Sequence, residues 1–346
     1  MVTDNGRTAL IICAAVLTIA LAYFARSVFA PMALALFGIA VVWPVQRRLE
    51  ARMPQLAALA ISLFLTIIAI GALLLLSVWG VGQVGRWIAL NAAQLQQAYA
   101  ELAQWLEGFG IYLNGIFVEQ FHVSWLVRRT QQIATMLSGL TGFSALVLVF
   151  LMLGLLEVRD LKAKVVSAWE PDTANRVLHT TGLIAEKFRR YAAIRTAASV
   201  LTGLLVALLC WLLGIDLALA WGVLAFALNF IPFIGPFIAT VLPAAFAVVQ
   251  YQSWEAAVLI LASSSVVQFL IGSYLEPRLS GSALSISPFL VIFAVFFGAL
   301  LWGITGAFIG VPVAIAILTV LEQFPSTAWM AELMSGSPKR HDAPVA

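Results

Sequence analysis

Asn229–Pro243 reads NFIPFIGPFIATVLP. It lies inside a charge-free apolar run from Leu217 to Val249. The run has the composition of a membrane segment, yet Pro232, Gly235, Pro236 and Pro243 interrupt it. Proline removes a backbone donor and clashes with the preceding turn, at about 3 kcal/mol inside a helix. Lipid offers no water to repair the loss. Length resolves the conflict. The run holds 33 residues, and as one helix it would extend about 50 Å, far beyond a hydrocarbon core of ~30 Å. Split at Pro232, Gly235 and Pro236, it gives two arms of about 15 residues, or ~22 Å each, neither of which crosses alone. The expectation is a helix–break–helix hairpin that re-enters the membrane.

A second run, Ile286–Leu321, repeats the pattern over 36 residues, with Gly298, Gly303 and Gly306 in its middle and Pro312 beyond. After each break the chain reads Gly-x-Phe-Ile-small, GPFIA from Gly235 and GAFIG from Gly306. Small residues four apart let helices approach closely in a membrane. Paired interrupted segments point to a transporter's binding site.

The rest of the chain fits a membrane setting. Of 346 residues, 62% are hydrophobic and 10% charged, with mean hydropathy +1.02, whereas soluble domains carry roughly 25% charged residues. The expected fold is an all-α polytopic integral membrane protein of about eight hydrophobic segments. They are 8–24, 28–45, 56–79, 138–156, 196–213, the broken run 217–249, 256–274 and the broken run 286–321. The N-terminal MVTDNGRTALIICAAVLTIALAYFAR could be taken for a signal peptide, but with so many spans behind it a retained first helix is the better reading.

Between spans lie amphipathic helices. Ile88, Leu95, Leu102, Leu106 and Phe109 share one helical face, and glycines 108, 110 and 115 then mark a turn before a second helix. This region is either a solvated linker or a surface between subunits. Residues 158–195 carry eight basic residues, Arg195 the last of them, against only Arg86, Arg128 and Arg129 in 81–137. The basic excess belongs on the cytoplasmic side, so the N-terminus is expected inside and 81–137 outside. A first hairpin entering from outside then puts Arg278, Lys339 and Arg340 inside. The resulting divisions are 1–80, N-terminal spans; 81–137, extracytoplasmic helices; 138–195, fourth span and basic segment; 196–322, transport core; 323–346, cytoplasmic tail.

The same residues bound the function. The net charge of +3 comes from loop residues, which orient a membrane protein rather than bind nucleic acid. His122, His179 and His341 are too scattered for a metal site, and Cys13 and Cys210 lie in apolar runs. No nucleotide loop or nucleophile pairing is present, so no enzyme, cofactor or metal is expected. Partners are lipid and a small-molecule substrate.

Between Arg195 and Glu322 only Asp216, Glu255, Glu276 and Arg278 are charged. A charge at the bilayer centre costs about 2.5–3.5 kcal/mol on insertion scales, so Glu276 and Arg278 lie at an interface or a watery cavity. Two apart, with Pro277 between them, they are expected to leave the helix and to contact different partners. They make a candidate hinge or coupling element, or a plain loop cap at the headgroups.

NFIPFIGP (229–236), LEPRLSG (275–281) and GALLWGITGAFIGVP (298–312) together resemble the autoinducer-2 exporter family, also called PerM-type permeases. The resemblance covers roughly Thr8 to Leu321. Where the family often has a Gly–Gln pair after a tyrosine, this chain has Ala192, Ala193 and Arg195. The resemblance implies a homo-oligomeric transporter of the bacterial inner membrane that exports small molecules, autoinducer-2 among them; some relatives look like cation/proton antiporters. The expectation is a secondary transporter using alternating access. Asn229, Pro232, Gly235 and Pro236 would form one tip, and Trp302, Gly303, Thr305, Gly306 and Pro312 the other, the tips meeting near the midplane. Glu276, with Pro277 and Arg278, would couple transport to protons. A channel or a non-transporting scaffold are the rivals.

Overall fold

The computed structural model describes residues 4–110, 123–280 and 286–336, and it is helical almost throughout. Its helices are α1 (Asp4–Phe24), α2 (Arg26–Glu50), α3 (Gln55–Leu90), α4 (Ala92–Glu107), α5 (Val123–Ala168) and α6 (Pro171–Leu212). Then follow α7 (Ala218–Leu228), α8 (Ile234–Tyr251), α9 (Trp254–Phe269), a π-helical turn (Leu270–Leu275), α10 (Glu276–Ser280), α11 (Pro288–Glu322) and α12 (Ala328–Met334). Among the described residues seven helical stretches are long and apolar enough to cross a membrane. The protein is an all-α polytopic membrane protein.

The helices overrun the apolar segments that mark them. α5 has 46 residues and α6 has 42, so the basic stretch 158–195 is the continuation of two membrane-length helices rather than a separate element. Pro171 opens α6 in the first turn, where a missing N–H costs nothing. The amphipathic pattern after Trp87 forms α4, set off from α3 by Asn91, whose amide donates to the Trp87 carbonyl. Gly108 and Gly110 close it, Gly110 with φ +76°. The helix expected after Gly115 is the start of α5, from Val123; Gly115 itself, Gly281, and the C-terminal Lys339 and Arg340 fall outside the described residues.

The chain forms two compact units: residues 1–66, 143–191 and 282–346 in one, and 67–142 with 192–281 in the other. α3, α5 and α6 each divide their length between them. In the first unit, Ala35, Leu59, Val147, Leu151 and Leu155 form one buried cluster. A second cluster joins Leu290 and Ala294 to Ala314, Leu318 and Ala331, holding α12 on α11. In the other unit, Val206, Cys210, Trp221, Phe246 and Ile260 share a core. Trp221 meets Phe246 edge-on at 5.2 Å between ring centroids, an arrangement aromatic quadrupoles favour.

Candidate functional site

Both broken runs fold back on themselves. In the first, the Tyr251 hydroxyl donates to the Leu213 and Gly214 carbonyls and Gln250 Nε2 to that of Gly214. Near the tip, Gly235 packs against Leu228, where an added Cβ would lie 1.9 Å from the Leu228 carbonyl oxygen. Leu213–Tyr251 and Gly214–Gln250 mirror about Pro232, and Leu228–Gly235 about the bond before it. In the second run, Gly306 lies on Gly298 and Gly310 on Ala294, with added Cβ atoms 1.9 and 2.2 Å from the opposing carbonyl oxygens. These positions mirror about Trp302. The glycines are required because backbone meets backbone there, and the small residues four apart are the ones that permit it.

The arms of the first hairpin differ from the equal division expected. α7 has 11 residues and α8 has 18. α8 alone is long enough to span, because Pro236 stands in its first turn and leaves its helix unbroken. The reversal is the five residues 229–233. Its tightest point is Phe233, at φ +62° and ψ −49°, where the Ile234 N–H returns to the Pro232 carbonyl at 2.7 Å. This is a γ-turn of the strained hand, rare for any residue with a side chain. In the second hairpin the reversal uses Trp302 (φ −130°, ψ 16°) and Gly303 (φ +64°, ψ −142°).

The candidate residues are distributed as follows. Asn229 is 1% exposed, and its Nδ2 donates to Ser199 Oγ on α6 at 3.2 Å. Pro232 and Gly235 are buried and Pro236 half-buried; Gly306 and Pro312 are buried, Thr305 is half-buried and Gly303 exposed. Trp302 does not simply line its tip: its indole N–H donates to the Ala22 carbonyl at 3.0 Å, at the end of α1. The base of α11 is held by Lys187 Nζ, 3.0 Å from Thr319 Oγ1 and 3.2 Å from a Glu322 carboxylate oxygen. The first hairpin belongs to one compact unit and the second to the other.

Glu276 and Arg278 have different partners, as their spacing requires. The Glu276 carboxylate accepts from the Arg195 guanidinium at 2.7 Å, and the Arg278 guanidinium lies over the Tyr274 ring, 4.0 Å from its centroid. Two expectations need correction. Glu276, Pro277 and Arg278 are helical, within α10; Pro277 is tolerated in the first turn of that short helix, after the π-helical turn has already interrupted the α-helical ladder. Arg195, counted above with the cytoplasmic basic residues, is 7% exposed inside its unit. A buried charge in a membrane chain is retained where it is paired, and Glu276 supplies the pair. The signal for Arg195 was its spacing from Ser199 and Thr202, one polar face of a helix that is otherwise apolar.

Comparison with known proteins agrees with this architecture. The model of the AI-2E family transporter matches residues 11–326. The AI-2 transport protein TqsA of Escherichia coli is 28% identical over 316 residues, 90% of each chain. A Haemophilus influenzae protein is 24% identical over 95% of this chain and 96% of its own. A Borreliella burgdorferi protein is 33% identical over 55% of this chain, spanning about half, 52%, of its own length. The names of these last two assign them provisionally to transport.

Proposed function

The chain belongs to the AI-2E transporter family, and from that premise we propose that it is a secondary transporter exporting a small polar molecule across the bacterial inner membrane, its N-terminus cytoplasmic. The observation that carries this reading is the pair of folded-back, glycine-closed hairpins, each turned by backbone that leaves helical geometry. Interrupted helices inside a membrane protein offer a polar solute backbone groups that regular helices consume. Autoinducer-2 is the first solute to assay, because a relative bears its name.

Glu276 is the proposed site of proton coupling. Its partner is an arginine, a residue type that does not exchange its proton in transport chemistry, so the carboxylate is the member of the pair that can carry the coupling. Arg278, two residues on, is engaged with Tyr274. Transport proceeds by alternating access, and the protein works as a homo-oligomer.

The full chain in proteoliposomes, loaded with autoinducer-2, tests this. Efflux should be saturable and faster under an imposed pH gradient in wild type, and insensitive to that gradient in Glu276→Gln. Equal flux with and without the gradient in wild type removes proton coupling. Voltage-steep, non-saturating flux identifies a channel instead.

A further inference from the structure

Hydroxyls in membrane helices settle on the carbonyl one turn back, because lipid supplies no other partner. Thr66, Ser77, Thr180, Thr240 and Thr319 all do so. The triplet Ser263-Ser264-Ser265 on α9 divides on this point. Ser263 and Ser265 donate to the Leu259 and Leu261 carbonyls. Ser264 between them is fully buried, at 0% exposure, and its hydroxyl has no partner. Thr202 on α6 is likewise fully buried and unpartnered. So are the side-chain amide nitrogen of Gln268, one turn beyond Ser264, and Nε of Arg195. Buried polar atoms are ordinarily paired, and each exception asks for a partner.

These four residues belong to one compact unit, and an ion pair and a shared core bracket them along their helices. At one end, Arg195 of α6 meets Glu276 beyond α9. At the other, Val206 and Cys210 of α6 share a core with Ile260 of α9. Ser199 and Thr202 lie between those ends on α6, and Ser264 and Gln268 lie between them on the α9 side. On α6, positions 195, 199 and 202 fall on one face, about 10 Å from first to last. Asn229, from the first hairpin tip, reaches this face at Ser199.

The charges within the pair are placed unequally. The Arg195 side chain is 8% exposed and that of Glu276 is 24% exposed. The cation is therefore the fixed partner and the carboxylate the one with a way out. Arginine as a residue type keeps its charge at working pH, so the ionised Glu276 carboxylate leaves the guanidinium only where another anion takes its place.

We propose, building on the transport reading above, that this polar stripe is the solute site and that its solute is a small hydroxylated molecule bearing one anionic group. The anionic group takes the place of the Glu276 carboxylate on Arg195, and Thr202, Ser264 and Gln268 receive the hydroxyls. Glu276 is the internal competitor that keeps the arginine paired between transport events.

The test is isothermal titration of the purified full chain with D-glycerate and, as the uncharged counterpart, glycerol, together with flux of both in proteoliposomes. D-glycerate should bind and glycerol should not. Arg195→Gln should lose at least tenfold in D-glycerate affinity, Glu276→Gln should gain several-fold, and Thr202→Val and Ser264→Ala should each lose several-fold. The doubly neutral Arg195→Gln/Glu276→Gln chain controls for folding: with a wild-type thermal midpoint it should still not bind D-glycerate. Undiminished D-glycerate binding by that chain overturns the proposal, as does equal binding of glycerol or binding of neither compound. D-glycerate binding without flux supports the site and removes the transport reading. Flux of uncharged solutes without D-glycerate binding removes the site and leaves transport standing.

Discussion

Phe233 carries a backbone that glycine would carry without strain. At φ +62° a bulky side chain costs about 1–3 kcal/mol, and half of that side chain is exposed, so packing returns little. The corresponding turn of the second hairpin does use glycine, at Gly303. Phe233→Gly should leave the thermal midpoint of the purified protein unchanged or raised, whereas Phe233→Val, β-branched at a positive φ, should destabilise it by roughly 1–2 kcal/mol. The glycine contacts predict a sharper loss. Gly306→Val places a side chain where the Gly298 carbonyl already is, 1.9 Å from the new Cβ, and overpacking of that kind costs about 1–3 kcal/mol or more. Gly272, with nothing within 4 Å of its added Cβ, is the control: Gly272→Ala should be silent in the same melting experiment. At this scale the sequence was partly legible. The glycines at 235, 306 and 310 stand out because small residues recur after a proline or glycine break. Phe233 does not, since nothing in a phenylalanine announces its backbone angle. Arg195 was misassigned because a charge count weighs it with its exposed neighbours, and only the partner 81 positions away explains its burial.

At the scale of elements, length arithmetic was the more reliable guide. Runs too long for one crossing, with breakers at their midpoints, had to fold back, and both do. What length could not give was how the breakers act. Pro232 sits in the reversal, but Pro236 is absorbed into the first turn of α8, which has no intrahelical N–H bond to lose, and Pro277 follows the π-helical turn that has already opened the ladder. Replacing Pro232 and Pro236 together by leucine restores helix propensity across residues 229–236 without touching any charged group. Those variants should insert and fold, as judged by protease protection and size-exclusion chromatography, yet carry solute at less than a tenth of the wild-type rate. Wild-type flux would reduce the break to an accommodation of packing. Where helices end was the least legible feature: α5 and α6 run far beyond their apolar cores because charged, good helix-forming residues continue them, and hydropathy registers only the part that meets lipid.

At the scale of the whole molecule, composition settles the class, yet it does not reveal the division of the chain into two units. That division interleaves distant parts of the sequence and depends on contacts no local pattern encodes. The mirror pairing of each hairpin has a genetic consequence. A codon inserted into the first arm of the second hairpin, between Gly298 and Trp302, would set Gly298 and Ala294 out of step with Gly306 and Gly310. The π-helical turn 270–275 behaves in the opposite way, for it already contains one residue more than an α-helix needs. Removing Gly272 should heal that turn into regular helix and leave Glu276 close to its present bearing on Arg195, because the wide turn had already absorbed the extra residue. An insertion and deletion scan read by expression level should therefore find the Gly298 arm intolerant of any change in length. Around residue 272 a lost codon should spare folding and the buried ion pair alike, leaving a regular helix. Evolution could reach that state in a single step, by the loss of one codon.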